Sequence, residues 1–296
     1  MKNTNFKILV PTDFSEQSNM ALHQAIHFAE ITKSEVTLLY VLHEKKGILG
    51  NIFNTKQTQI FNEAIESKLQ EQSKKYKEKH NLSIDYKLVH STSIQSAILK
   101  YSKEGSFSII IMGKGLIYKD GVELPSIGSI TSTVVRHAKI PVITIGNHGH
   151  STSIKSILLP LDLTKETRQK VSWSVKIAKV FGAEITLISA IWGNTDNEIT
   201  KKIELQMKQA VSVITKQGIK CKSTIIESKS DDSLTPIINR YISNNPEINL
   251  AIIMTQQEND ITDYFLGSAA TEFIRCIKLP VLSIVPRELD RIILGL

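Results

Sequence analysis

The sequence predicts an α/β protein of two tandem domains, each built on a five-stranded parallel sheet. Three observations carry that prediction. Short runs of β-branched and aliphatic residues alternate with longer stretches of helical periodicity, the order that sets parallel strands between layers of helices. The chain also repeats itself. Ile8-Leu9-Val10-Pro11-Thr12-Asp13 lines up with Ile157-Leu158-Leu159-Pro160-Leu161-Asp162, and Glu35-Val36-Thr37-Leu38 with Glu184-Ile185-Thr186-Leu187. Near the far ends, Gly128-Ser129 falls on Gly267-Ser268 and Ile140-Pro141-Val142 on Leu279-Pro280-Val281. Third, the run from Ser108 to Gly113 is rich in Ile and ends in glycine, as a strand buried on both faces does.

The elements follow in order. Phe6 to Val10 is a short strand, and Ser15 caps a helix whose apolar positions are Ala21, Leu22, Ala25, Ile26 and Ala29. Glu35 to Leu42 is a strand. Asn51 to His80 is a long amphipathic helix with Ile60, Phe61, Ala64, Ile65 and Leu69 on its apolar side. Leu82 to Val89 is a strand and Ser93 to about Lys103 a helix. The Ser108–Gly113 strand then leads through a polar loop to a helix opening at Gly128-Ser129, with Ile130, Val134, Val135 and Ala138 inward. Ile140 to Ile145 is the fifth strand, its proline near the start where a missing N–H is tolerated. Residues 147–153 are small and polar, a linker. The domains are therefore 1–146 and 154–286, followed by a tail, 287–296, whose Leu289, Ile292 and Ile293 have the spacing of a docked helix. The second copy reads as strands 155–160, 184–191, 219–227, 248–254 and 280–285, with helices 165–181, 196–217, 232–244 and 266–277.

Composition narrows the function classes. The chain has 296 residues, 22% charged and 41% apolar, close to globular averages. The net charge of +7 reads as a lysine-rich solvated surface, because Glu71 and Glu78 interrupt the densest run, Lys74, Lys75, Lys77 and Lys79. No basic platform studded with aromatics supports nucleic-acid binding. Two distant cysteines, Cys221 and Cys276, argue against a disulfide framework or structural zinc and fit a reducing cytosol. The first apolar run stops at Pro11, too short for a signal peptide or membrane span, so the expected location is cytoplasmic. There is no GxxxxGK(S/T), GxSxG or HExxH string. His23 and His27 share a helix face with no third ligand nearby, which reads as a helix surface.

Strand, glycine loop and helix start in succession aim backbone N–H groups at one point, where the helix dipole favours an anion. Gly113, Gly115, Gly128 and Ser129 fit a phosphate cradle, and equally a strand end with a helix cap.

Taken together, Ile8-Leu9-Val10-Pro11-Thr12-Asp13-Phe14-Ser15, Thr37-Leu38-Leu39-Tyr40-Val41, Ile110-Ile111-Met112-Gly113, Gly128-Ser129 and Ile140-Pro141-Val142-Ile143, in order and twice over, resemble the universal stress protein family. The resemblance implies a tandem member with Rossmann-like domains, similar to the adenine nucleotide alpha hydrolase fold, paired through their fifth strands. It implies ATP or another adenine nucleotide held by Pro11, Thr12, Asp13, Val41, Met112, Gly113, Gly115, Gly128, Ser129 and Ile130. Asp13 would take the ribose or adenine side, the Val41 backbone the adenine edge, and the glycines with Ser129 the phosphates. Nucleotide-binding members carry G-x-x-G-x9-G-(S/T). Here Gly115 follows Gly113 by two positions rather than three. Counted from Gly115, Gly128 falls at the expected distance, with Tyr118 in the second glycine's place. In the second half Asp162 is kept, Leu161 replaces Thr12 and Thr255 stands in the place of Gly113. Glu258 and Asp260 would repel a triphosphate there.

The expected function is a non-enzymatic stress-response binding or signalling module with an adenine-nucleotide site in the first domain and a nucleotide-free second domain. Its expected partners are the nucleotide, the chain's own other half, a homodimer mate and a partner protein, with neither membrane nor nucleic acid. The alternatives are a nucleotide-free protein-interaction scaffold and, behind it, a slow nucleotide hydrolase. Without a placed base or nucleophile, catalysis has no evident source.

Overall fold

A computed structural model describes residues 6–44, 56–115, 117–119, 122–124, 126–146, 153–163, 167–193, 195–228, 233–255 and 268–285. The chain divides into two compact units: Met1–Gly115 with Gly128–Asn147, and Leu116–Ile127 with His148–Leu296.

In the first half, β1 (Lys7–Pro11) leads to α1 (Glu16–Thr32), β2 (Glu35–His43), α2 (Lys56–His80), β3 (Ile84–Ser91), α3 (Ile94–Glu104) and β4 (Ile109–Gly113). Two short strands, β5 (Ile117–Lys119) and β6 (Val122–Leu124), precede α4 (Ser129–His137) and β7 (Val142–Ile145). β3, β2, β1, β4 and β7 lie side by side in that order, every pair parallel. Ile8, Leu9, Val10, Ile110, Ile111 and Ile143 are fully buried, so the apolar strand runs form the core.

The second half repeats the plan with β8 (Ser156–Pro160), α5 (Thr167–Phe181), β9 (Glu184–Trp192), α6 (Asn197–Lys216) and β10 (Cys221–Ser228). It continues through α7 (Leu234–Asn244), β11 (Ile248–Met254), α8 (Ser268–Cys276) and β12 (Val281–Ile284). Its strands pair in parallel in the order β10, β9, β8, β11, β12. The predicted five-stranded parallel sheet is thus present in each half.

Three sequence expectations are corrected. The stretch after β4, read as a polar loop, contains the antiparallel β5–β6 hairpin, with Ile117 opposite Leu124 and Lys119 opposite Val122. On α2, Ile65 and Leu69 are buried as expected, but Ile60 is 64% exposed and Phe61 57%, and Ala64 is exposed too. At 25 residues α2 is about 37 Å long, whereas β2, with 9 residues, spans about 30 Å, so the first turns overhang the sheet. The third concerns the second half's glycine loop. Gly113 pairs with Ile145 across β4–β7, and Met254 with Ile284 across β11–β12. Lys114 N–H donates to Ile145 O at 2.8 Å, and Thr255 N–H to Ile284 O at 2.9 Å. Met254 therefore stands where Gly113 does, and Thr255 matches Lys114. The linker residues 147–152 and the tail 287–296 lie outside the described residues.

Candidate functional site

The carboxyl ends of β2, β1 and β4, three neighbouring parallel strands, form one edge of the sheet, and the start of α4 is bonded to the end of β4. In open α/β sheets this is where ligands sit. Every residue expected to contact nucleotide lies at this edge: Pro11 at the end of β1 with Thr12 and Asp13 just beyond, Val41 near the end of β2, Met112 and Gly113 at the end of β4 with Gly115 just beyond, and Gly128, Ser129 and Ile130 at the start of α4.

The turn after β1 is built from short polar side chains. Thr12 is buried, and its hydroxyl accepts from the Phe14 amide at 3.1 Å and donates to Ser18 Oγ at 3.2 Å. Ser15 caps α1 by accepting from Ser18 N–H. Asp13 is exposed, and its Oδ1 accepts from the Ser15 amide at 3.0 Å. Burial pulls the Asp13 carboxyl upward, but hydrogen bonds from the Ser15 hydroxyl and amide and from the Ser18 hydroxyl outweigh it. The result lies below the ordinary aspartate value. Phe14 is left-handed (φ 62°). That turns its ring to stack on Tyr40 of β2, 5.2 Å between centroids, with the Lys68 ammonium of α2 4.3 Å from the Phe14 centroid. Sequence patterning missed this three-element stack, because its members lie on separate elements.

The glycines have distinct tasks. A Cβ on Gly113 would sit 2.7 Å from the Gln17 Cβ, so its bare α-carbon is what lets the first turn of α1 pack on the end of β4. Gly115 is left-handed (φ 77°), and a Cβ there would meet Gly128 Cα at 3.2 Å. Gly128 N–H donates to Lys114 O at 2.7 Å. Thr131 Oγ1 donates to Gly113 O at 2.9 Å, fastening α4 to the strand end. Gly115 and Gly128 therefore close the neck of the β5–β6 excursion. Gly128 is the N-cap of α4 and, being a glycine, gives the helix no side-chain cap of its own at the positive end of its dipole. Val41 and Met112 are buried, and Ser129 is exposed.

The matching edge of the second half differs in one charged contact. Lys170 Nζ donates to Asp162 Oδ1 at 2.8 Å, with the lysine side chain 5% exposed. In the repeat Lys170 falls on Ala21, so a buried alanine of α1 has become a lysine that clamps the carboxylate. Met254 brings a side chain where Gly113 has none.

Residues 4–146 match the model of the universal stress protein family. This stretch is a universal stress protein domain. Universal stress protein MJ0577 of Methanocaldococcus jannaschii is 29% identical over 153 residues, 47% of this chain and 93% of that protein. At 17% identity and a TM-score of 0.71, a universal stress protein from Archaeoglobus fulgidus shares the fold over 96% of this chain and 97% of its own. A putative universal stress protein from Pseudomonas aeruginosa shares it at 18% identity and a TM-score of 0.65, over 96% and 94%. The fold of a universal stress protein thus extends beyond the matched domain to nearly the whole chain. Among the described residues no group of three or more His, Cys, Asp or Glu side chains could hold a metal ion, and no helix is long and apolar enough to cross a membrane. His23 and His27 are instead engaged at the helix surface, His23 with the Tyr76 hydroxyl at 2.7 Å and His27 with Glu30 at 4.0 Å.

Proposed function

We propose that the chain acts as a cytoplasmic tandem universal stress protein, a non-enzymatic stress-response module that binds ATP or another adenine nucleotide in its first half. The observation that carries this reading is the asymmetry between equivalent carboxylates: Asp13 is exposed after β1, in the half where α4 opens on a glycine, while Asp162 is held by Lys170. Asp13 receives the ribose hydroxyls and the Val41 backbone the adenine edge. The phosphates meet the amides of Ser129 and Ile130, with Gly115 and Gly128 leaving the approach free of side chains. Gly113 and Met112 set the strand end against which this is built. A carboxylate held below its usual range is a poor base at neutral pH, which favours binding over turnover. Nucleotide then works by its differential affinity for two states of the module.

The test is a fluorescence-anisotropy titration of labelled ATP into the full chain. Saturable micromolar binding, lost in Asp13→Ala and kept in Asp162→Ala, is the expected result. No binding at millimolar ATP overturns the reading in favour of a nucleotide-free scaffold, and equal loss in both variants overturns the assignment of the site to the first half.

A further inference from the structure

In the first half the seam between α1 and α2 is closed by polar pairs. Gln72 Nε2 donates to Asn19 Oδ1, His23 Nε2 meets the Tyr76 hydroxyl and His80 Nδ1 meets Glu30 Oε1, each at 2.7 Å. The second half's α5 and α6 can be matched to these helices residue by residue. The repeat that sets Ile8 on Ile157 sets Asn19, His23, His27 and Glu30 on Arg168, Ser172, Lys176 and Lys179. The left-handed residue just past the second helix is Asn81 (φ 51°) in one half and Gly218 (φ 76°) in the other. Counting back from it sets Gln72, Tyr76 and His80 on Gln209, Val213 and Gln217.

The last pair survives in altered form, with Lys179 Nζ donating to Gln217 Oε1 at 2.6 Å. Gln206 Nε2 donates to Thr167 Oγ1 at 3.0 Å toward the other end. Between these two bridges the bulky His23–Tyr76 contact has become Ser172 and Val213, and a groove of about 1220 Å³ opens. Val171, Val175, Ala210 and Val213 give it an apolar floor, and Val213 is 51% exposed. Arg168, Lys176 and Lys179 stand exposed along it, and among the described residues no carboxylate lines it. The first half has Asn19, His27 and Glu30 in those places, so the seam has gained charge of one sign while losing side-chain bulk.

We propose that this α5–α6 groove docks an acidic amphipathic helix of a partner protein. The apolar floor fits a stripe of aliphatic side chains, and the cationic wall fits carboxylates flanking that stripe. From Thr167 to Lys179 the groove follows α5 for about 18 Å, room for roughly three turns of a docked helix.

The experiment uses the full chain and a fluorescein-labelled 18-residue peptide with leucines at i, i+3, i+4, i+7 spacing and glutamates elsewhere. A second peptide carries lysine for every glutamate. Two double variants are compared, Arg168→Glu/Lys176→Glu and Ser172→His/Val213→Tyr, the second refilling the seam as in the first half. Circular dichroism and Tm report folding. The expected result is saturable binding of the glutamate peptide, at least tenfold weaker for the lysine peptide and for each variant, and weakened by salt. If the refilled variant fails to fold, the charge-reversed pair decides. Equal binding of both peptides, or binding unchanged in the variants, overturns the proposal. So does a glutamate peptide that fails to bind while self-association of the chain, or adsorption to phosphatidylglycerol vesicles, is lost in the same variants.

Discussion

Asp13 and Asp162 occupy the same place in the repeat and have opposite surroundings. Asp13 accepts from the Ser15 amide and hydroxyl, which hold its folded pKa below the unfolded value near 3.9. A depressed carboxylate contributes stability above the unfolded pKa and loses it as pH falls through the lower folded one. Solvent screens an exposed carboxylate, so Asp13→Asn should cost only about 0.5 kcal/mol at pH 7. The gap from wild type should stay constant above about pH 5 and narrow below pH 4, read from urea unfolding at each pH. At Asp162 the partner is a nearly buried ammonium, so Lys170→Met should cost about 1–3 kcal/mol while creating no nucleotide site, since Met254 still stands at the strand end. Cys221 offers a third residue-level check. Burial pushes its thiol up to about 11. In a Cys276→Ser background, iodoacetamide labelling at pH 7.5 should be far slower than for a free thiol and should climb about tenfold per pH unit up to pH 10. Labelling at the rate of free cysteine would contradict that burial.

At the scale of elements, the start of α4 separates folding from function. Gly128 has φ −60° and ψ 150°, and a Cβ there makes only ordinary contact, 3.4 Å from Lys114 O. Gly128→Asp should thus be accepted, capping α4 with a carboxylate and leaving Tm unchanged or slightly raised. The same carboxylate would sit where the proposed site takes the phosphates, so ATP affinity should fall at least tenfold. A variant that binds ATP as wild type does would remove α4 from the site. Gly115→Ala should behave in the opposite way, since its left-handed backbone penalises any Cβ by about 1–2 kcal/mol. The strands and helices themselves were legible, because buried parallel strands are apolar runs and their covering helices keep one apolar face. The β5–β6 hairpin was not read, although Asp120-Gly121 between Ile117-Tyr118 and Val122–Leu124 is a hairpin signal of the usual kind. The burial of Ile60 and Phe61 was misjudged because periodicity shows which face is apolar and not how far the sheet beneath it extends.

For the whole molecule, one fold has been used twice with the ligand-facing edge changed in one copy. Much of the candidate site was legible as far as it depends on contiguous strings, such as Pro11-Thr12-Asp13 and Gly128-Ser129. What sets the second copy apart was not. The change from Ala21 to Lys170 looks like an ordinary charged helix residue until folding brings it onto a carboxylate eight positions earlier. The place of Met254 became visible only through strand register, because one residue of slip in an apolar run leaves the sequence pattern unaltered. The unlike α5–α6 seam has the same origin, in pairs that meet across two helices.

Isothermal titration calorimetry of ATP into the full chain tests the central claim most directly. The account predicts one site per chain in wild type and in Lys170→Met, and none in Asp13→Ala. Two sites per chain, or a single site that survives Asp13→Ala, would contradict it.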